Sequence, residues 1–389
     1  MATAAQPVRR LSPAAGPRPS YGSAGSVPFP RLREFGPQWY AAVMGTASVA
    51  VAGWAVTGSG GPVRAPLAAV WALSAVLLTA VAAARALHWR HHRDRARAHL
   101  LDPAVAPFYG CAAMAPLAVG IGALGPGREV LGARAALPVA VALFAVGCAV
   151  AVVAAVAVPY LLVVRHRPAP GSASPVWLLP LVAPMVAAAF GPLLAASADG
   201  ETRRTLLVVS LGLAGASGLA ALAVLPLVLS RLIHHGPLPL ALTPSLFLVL
   251  GPLGQSTTAA GQLADALPGR PWADLVAVGY GVPVMGFALL WLALAGAMVV
   301  RAARRGLPFT LGWWAFTFPV GTCVTGAAGL AQRTGLTLLW AVAAGLYALL
   351  LAAWAVAGLR TVRGLVSGAL PAAPPSTPGV PSPATARTR

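Results

Sequence analysis

Few side chains in this 389-residue sequence could do chemistry, and their positions exclude more than they suggest. His88, His91 and His92 share one short segment and invite a metal reading. A metal site needs further His, Cys or carboxylate ligands at ligand spacing. The nearest, Asp94, sits inside the basic run 90–97. These histidines are therefore expected to anchor the chain at lipid headgroups, with no metal. The basic run is expected to be a topology signal, not a nucleic-acid patch. Cys111, Cys148 and Cys323 are odd in number and lie inside apolar segments, so they form neither a disulfide framework nor a ligand set. The eight acidic residues, Glu34, Asp94, Asp102, Glu129, Asp199, Glu201, Asp265 and Asp274, all fall in loops, tails or the ends of apolar segments. A membrane-embedded enzyme would need an acidic pair, metal-binding histidines or an activated nucleophile among its helices. None is visible, and no cofactor is expected. The missing intramembrane carboxylate also disfavours a cation path and fits an anion path.

Hydroxyls and prolines remain. Thr46, Ser256, Thr257, Thr317, Thr322 and Thr325 could meet an anion, or could bond their own helix backbone instead. Pro116, Pro252 and Pro319 would release the carbonyls of Ala112, Leu248 and Ala315, four residues earlier. Such groups are tolerated at membrane depth only where protein or a water-filled cavity satisfies them.

The elements that must position these residues follow from composition. The chain is 58% hydrophobic and 9% charged, against roughly 25% charged in soluble domains. Its apolar runs are long enough for helices that cross a bilayer, since ~20 residues span ~30 Å. Ten spans are expected, near 38–58, 66–88, 107–125, 135–163, 176–196, 205–230, 242–264, 274–300, 309–330 and 335–360. The net charge is +19 and every basic residue is Arg. With the N-terminus inside, twenty of the 27 Arg fall in inside segments, which predicts cytoplasmic termini. Residues 1–35 show no cleavable signal peptide, and with 363–389 they are expected to be disordered tails around a membrane domain over 36–362. Odd-numbered spans concentrate Pro, Gly and hydroxyl residues, whereas even-numbered spans are mostly plainer. Odd spans would then line a central path and even spans an outer wall; alternatively, Gly and Pro merely aid packing.

Five segments carry a family resemblance: GPQWYAAVMGTASVA (36–50), LLDPAVAPFYG (100–110), PVWLLPLVAPMVAAAFG (175–191), LTPSLFLVLGPLGQSTTAA (242–260) and WWAFTFPVGTCVTG (313–326). Together, in order over about 36–360, they resemble the tellurite-resistance/dicarboxylate transporter family, which includes malic acid carriers, sulfite efflux pumps and the plant slow anion channel. The first departs from the family pattern, reading MGTAS without a second glycine after the threonine. The resemblance implies an all-α membrane fold of ten helices, as five hairpins in quasi-fivefold order around a pore, and a homotrimer in the plasma membrane. It implies a phenylalanine gate on the ninth span, at Phe318, with Phe316 the neighbour to consider. The expected pore lining is Thr46, Pro116, Pro184, Pro252, Ser256, Thr257, Thr317, Pro319 and Thr322. The implied cargo is small anions, C4-dicarboxylates such as malate first. Chloride, nitrate or sulfite conduction and tellurite-resistance efflux are the alternatives.

Overall fold

The computed structural model describes residues 32–58, 61–169, 171–368 and 370, and all regular structure among them is helical. The expected tails lie almost entirely outside these residues. Eleven α-helices sort by length. Five are short, at 15–18 residues: α1 (Tyr40–Thr57), α4 (Tyr109–Ala123), α6 (Leu178–Ala195), α8 (Leu250–Asp265) and α10 (Phe318–Thr334). Five are long, at 28–36 residues: α2 (Arg64–His91), α5 (Arg128–Leu161), α7 (Gly200–His235), α9 (Pro271–Ala303) and α11 (Thr337–Val366). Short and long helices alternate, apart from the nine-residue α3 (Arg93–Leu101) that the basic run forms after α2.

The short helices are the inner ones. α1 packs on α4, α4 on α6, α6 on α8, α8 on α10, and α10 back on α1, closing a ring. The long helices lie outside and show Leu and Val to the surroundings. Nine helices among the described residues are long and apolar enough to cross a membrane. In four inner ones, 67–89% of the apolar window is buried, against 17–28% in the five outer ones. The expected span at 242–264 is helical throughout, as a 3-10 segment (Leu240–Val249) running into α8. It is more polar than the rest and falls outside the nine.

Small residues let the inner backbones approach. A Cβ at Gly254 would overlap the Cys323 amide across the α8–α10 seam, and one at Gly110 the Leu179 carbonyl on α6. Despite its single glycine, MGTAS also makes a close contact, because a Cβ at Gly45 would overlap Thr317 Oγ1.

The prolines act differently from the sequence expectation at two positions. Pro116 and Pro184 lie inside α4 and α6. Pro319, however, is the second residue of α10, and Pro252 the third of α8. In a first turn a proline's missing N–H costs little, so these two help start helices instead of kinking them. Every inner helix is preceded by a 3-10 segment: Pro37–Trp39, Ala106–Phe108, Pro175–Trp177, Leu240–Val249 and Leu311–Phe316. Each carries at least one aromatic residue.

Candidate functional site

The inner helices enclose a cavity of about 610 Å³ toward their C-terminal ends. Asp265 and Gln332, near the ends of α8 and α10, line it and are exposed, so it opens there. Its lining reaches back to Phe318, the first residue of α10. Fourteen residues of helix from Phe318 to Gln332 make it about 21 Å deep.

Two walls differ in chemistry. On α8, Gln255, Thr258, Gln262 and Asp265 face the cavity. With Gly251 below them they repeat at four- and three-residue steps, which is one face of a helix. On α10, Phe318, Thr322, Thr325, Gly329 and Arg333 follow the same rhythm. α1, α4 and α6 contribute mainly Val51, Ala55, Ala118, Ile121, Val186 and Leu193. The polar stripe explains why α8 is too hydrophilic to stand out as a span.

Hydrogen bonding decides what the polar wall offers. The hydroxyl of Ser48 donates to Gly45 O at 2.8 Å, Thr257 to Leu253 O at 3.0 Å and Thr322 to Pro319 O at 2.7 Å. Thr258 and Thr325 face each other at 2.7 Å and also reach backbone carbonyls. Ser48, Thr257 and Thr322 thus turn their protons into the helices and present oxygen lone pairs to the cavity, while one of Thr258 and Thr325 donates to the other. Arg333 is tied into the mouth. It pairs with Asp265, donates to Gly329 O (3.1 Å) and Gly261 O (2.6 Å), and its Nε lies 3.4 Å from Asp274 without hydrogen-bond alignment.

Behind Phe318 lies a second, much smaller void of about 10 Å³, lined by Met44, Met114, Leu178, Leu179, Val182, Leu248, Gly251, Phe318 and Pro319. It has room for about one water at most. Phe318, 5% exposed, therefore forms part of both linings. Phe316 lines neither. It packs edge-on against Phe247 and Trp313, with centroids 4.8 and 5.8 Å away.

Of the residues expected from sequence, Phe318, Thr257, Thr322 and Thr325 line the large cavity, and Phe318 and Pro319 the small void. Thr46, Pro116, Pro184, Pro252, Ser256 and Thr317 line neither. Thr46 turns outward, accepting a hydrogen bond from Trp354 Nε1 on α11 at 3.1 Å. Thr317 is fully buried and donates to Trp314 O at 2.7 Å. Sequence reasoning passed over Gln255, Gln262, Asp265 and Arg333 as lining, although the helical spacing on α8 carried the signal.

Of the three histidines expected at the lipid headgroups, His88 and His92 are buried within the protein and His91 is exposed; His99 is buried beside the first two. Arg85, buried as well, donates to His88 Nδ1 (2.6 Å), Phe35 O (2.7 Å) and Tyr109 Oη (3.2 Å). The His88 ring leans on His99 and His92, at 5.3 and 6.0 Å between centroids. α3 folds back over the end of α2 and carries His99 into this cluster. Burial, then the charges of Arg85 and Arg95, push the His99 pKa below the ordinary imidazole value. No group of three or more His, Cys, Asp or Glu among the described residues has metal-holding geometry.

The family model described as voltage-dependent anion channel (SLAC1) matches residues 34–362. An uncharacterized transporter of Methanocaldococcus jannaschii is 24% identical over 340 residues, covering 87% of this chain and 95% of the relative. A sulfite efflux pump of Trichophyton rubrum is 33% identical over 193 residues, covering 46% of this chain and 51% of the pump.

Proposed function

The chain belongs to the SLAC1 family of voltage-dependent anion channels, and from that premise we propose that it is a multi-pass membrane pathway for small anions, closed at Phe318. The carrying observation is the place of that ring between an open cavity and a packed apolar interior. A phenyl ring in such a constriction excludes water and therefore ions. In this reading the 240–265 helix is a tenth crossing, the inner ring is the pore and the long helices form a quasi-fivefold outer wall. The sulfite pumps among its relatives support an inorganic anion as cargo. Malate remains the dicarboxylate proposal, drawn from resemblance. Among the described residues Arg333 is the one Arg that lines the cavity, and that side chain is paired with acidic residues, so a dianion would pass without tight capture.

The test is current across bilayers containing the purified protein, under opposed potassium chloride and potassium malate gradients. Phe318→Ala should raise conductance by about tenfold or more, equivalent to removing ~1.4 kcal/mol or more of barrier. Phe316→Ala should change it little. Unchanged conductance in both folded variants removes the gate. A reversal potential that follows potassium removes the anion pathway, and one that follows chloride alone removes malate. Cytoplasmic termini, a plasma-membrane location and a homotrimer complete the proposal. Labelling of a cysteine placed at Arg93 from outside intact cells would reverse the orientation, and a monomer mass in detergent would remove the trimer.

A further inference from the structure

We propose that Gln255 is the anion ligand of the pathway, binding one monovalent anion in the cavity just above Phe318. This rests on the anion-pathway reading and adds to it the residue that touches the ion.

Gln255 is 4% exposed and lines the cavity. Neither its amide nitrogen nor its amide oxygen is bonded within the described structure, and neither atom is sealed from the cavity. Leaving a buried amide unpaired is costly, so its position calls for a partner that the protein itself does not supply.

The level of Gln255 is set by its neighbours. Gly254 packs against Thr322 and Cys323 of α10, and Gly321 against Ser48 of α1. Thr322 is one helical turn beyond Phe318. Gln255, Thr322 and Ser48 therefore form a polar collar above the ring. Within that collar the Ser48 and Thr322 protons already go to backbone carbonyls. The Gln255 amide brings the unpaired N–H donors, which are what an anion requires. Ala118 of α4 and Val186 of α6, which also line the cavity, have apolar side chains that cannot compete for it.

Charge selects the class of ion. The nearest formal charges along the lining, Asp265 and Arg333, sit ten or more residues farther along α8 and α10, about 15 Å away. That exceeds a Debye length of ~8 Å at physiological ionic strength. A neutral amide can replace part of a monovalent anion's hydration. A dianion has a desolvation cost roughly four times larger, by the square of its charge, and meets no cation here. Chloride, bromide, nitrate or hydrogensulfite fit this chemistry, whereas sulfate and doubly ionised malate would pass this level without being held there.

The experiment has two arms. In the first, crystals of the full chain are soaked in bromide. An anomalous peak within hydrogen-bonding reach of Gln255 Nε2 is expected in the native protein and in Gln255→Asn at a shifted position, and is lost in Gln255→Leu and Gln255→Glu. In the second, chloride current is recorded in the Phe318→Ala background. Gln255→Leu should lower it about fivefold, and Gln255→Glu about tenfold or more at pH 8, on the scale of one charge-assisted hydrogen bond. No bromide at Gln255, or bromide retained in Gln255→Leu, overturns the proposal. So does chloride current equal to the parent in both variants. A bromide peak without current in Phe318→Ala would instead keep the ligand and discard the transport reading.

Discussion

The two ends of the inner ring are built from the same five helices, yet one is open and the other sealed. At the C-terminal end the helices surround about 610 Å³. At the N-terminal end they leave about 10 Å³. The difference lies in the lead-in segments. Trp39, Phe108, Trp177, Phe247, and Trp314 with Phe316, recur at the entrance to each inner helix, so the sealed end fills with rings. Toward the open end, beyond Phe318, the lining of α8 and α10 carries no such rings, and Gly321, Gly326, Gly329 and Gly261 are among its residues. Side-chain volume, distributed along helices of equal status, makes one end a wall and the other a vestibule.

Substituting at each end tests this contrast. The largest effect is expected at the sealed end. Trp314 is 4% exposed and its Nε1 donates to Thr361 on α11 at 3.1 Å. Trp314→Ala should cost about 3–5 kcal/mol of stability in detergent unfolding, while Leu193→Ala on the cavity wall should cost clearly less. Equal losses would mean that the open end is packed as tightly as the sealed one.

A smaller effect concerns the histidine cluster. With its pKa lowered in the fold, His99 binds protons more readily once unfolded. Its contribution is present above the ordinary value near ~6.5 and is lost as pH falls below it. Thermal stability should therefore drop as pH is taken from 7.5 to about 5, and His99→Gln should flatten that slope. A slope unchanged in the variant would move the acid sensitivity elsewhere. The smallest effect belongs to the open end: Thr258→Val breaks the pair with Thr325 and should cost about 1 kcal/mol, with the sealed end unaffected.

Much of the scaffold could be read from residue types. The alternation of proline- and glycine-rich segments with plainer ones matches the alternation of buried and exposed helices. The family resemblance carried by WWAFTFP points to Phe318, which borders both the cavity and the small void. The lining was harder, because composition marks which helix is polar but not which face points inward. Thr46 was expected in the lining by type and depth, yet it turns to Trp354 in the outer layer. The α8 face is legible as the spacing of Gln255, Thr258, Gln262 and Asp265, whereas hydroxyl content alone does not separate this face from the Ser256 side of the same helix. The burial of His88 and His99 depends on α3 folding back, a tertiary event with no local signature.

The depth of the vestibule has an electrical consequence. A bilayer's hydrocarbon is ~30 Å thick, and about 21 Å of α10 borders the open cavity. If the pathway is closed at Phe318 as proposed, water and salt in such a cavity carry the bulk potential inward, and most of the membrane voltage would drop over the short insulating layer at that ring. An ion crossing that one layer would then take up nearly the whole ~2.3 kcal/mol that 100 mV exerts on a unit charge. An anion resting at Gln255 would still lie almost at the potential of the solution it came from.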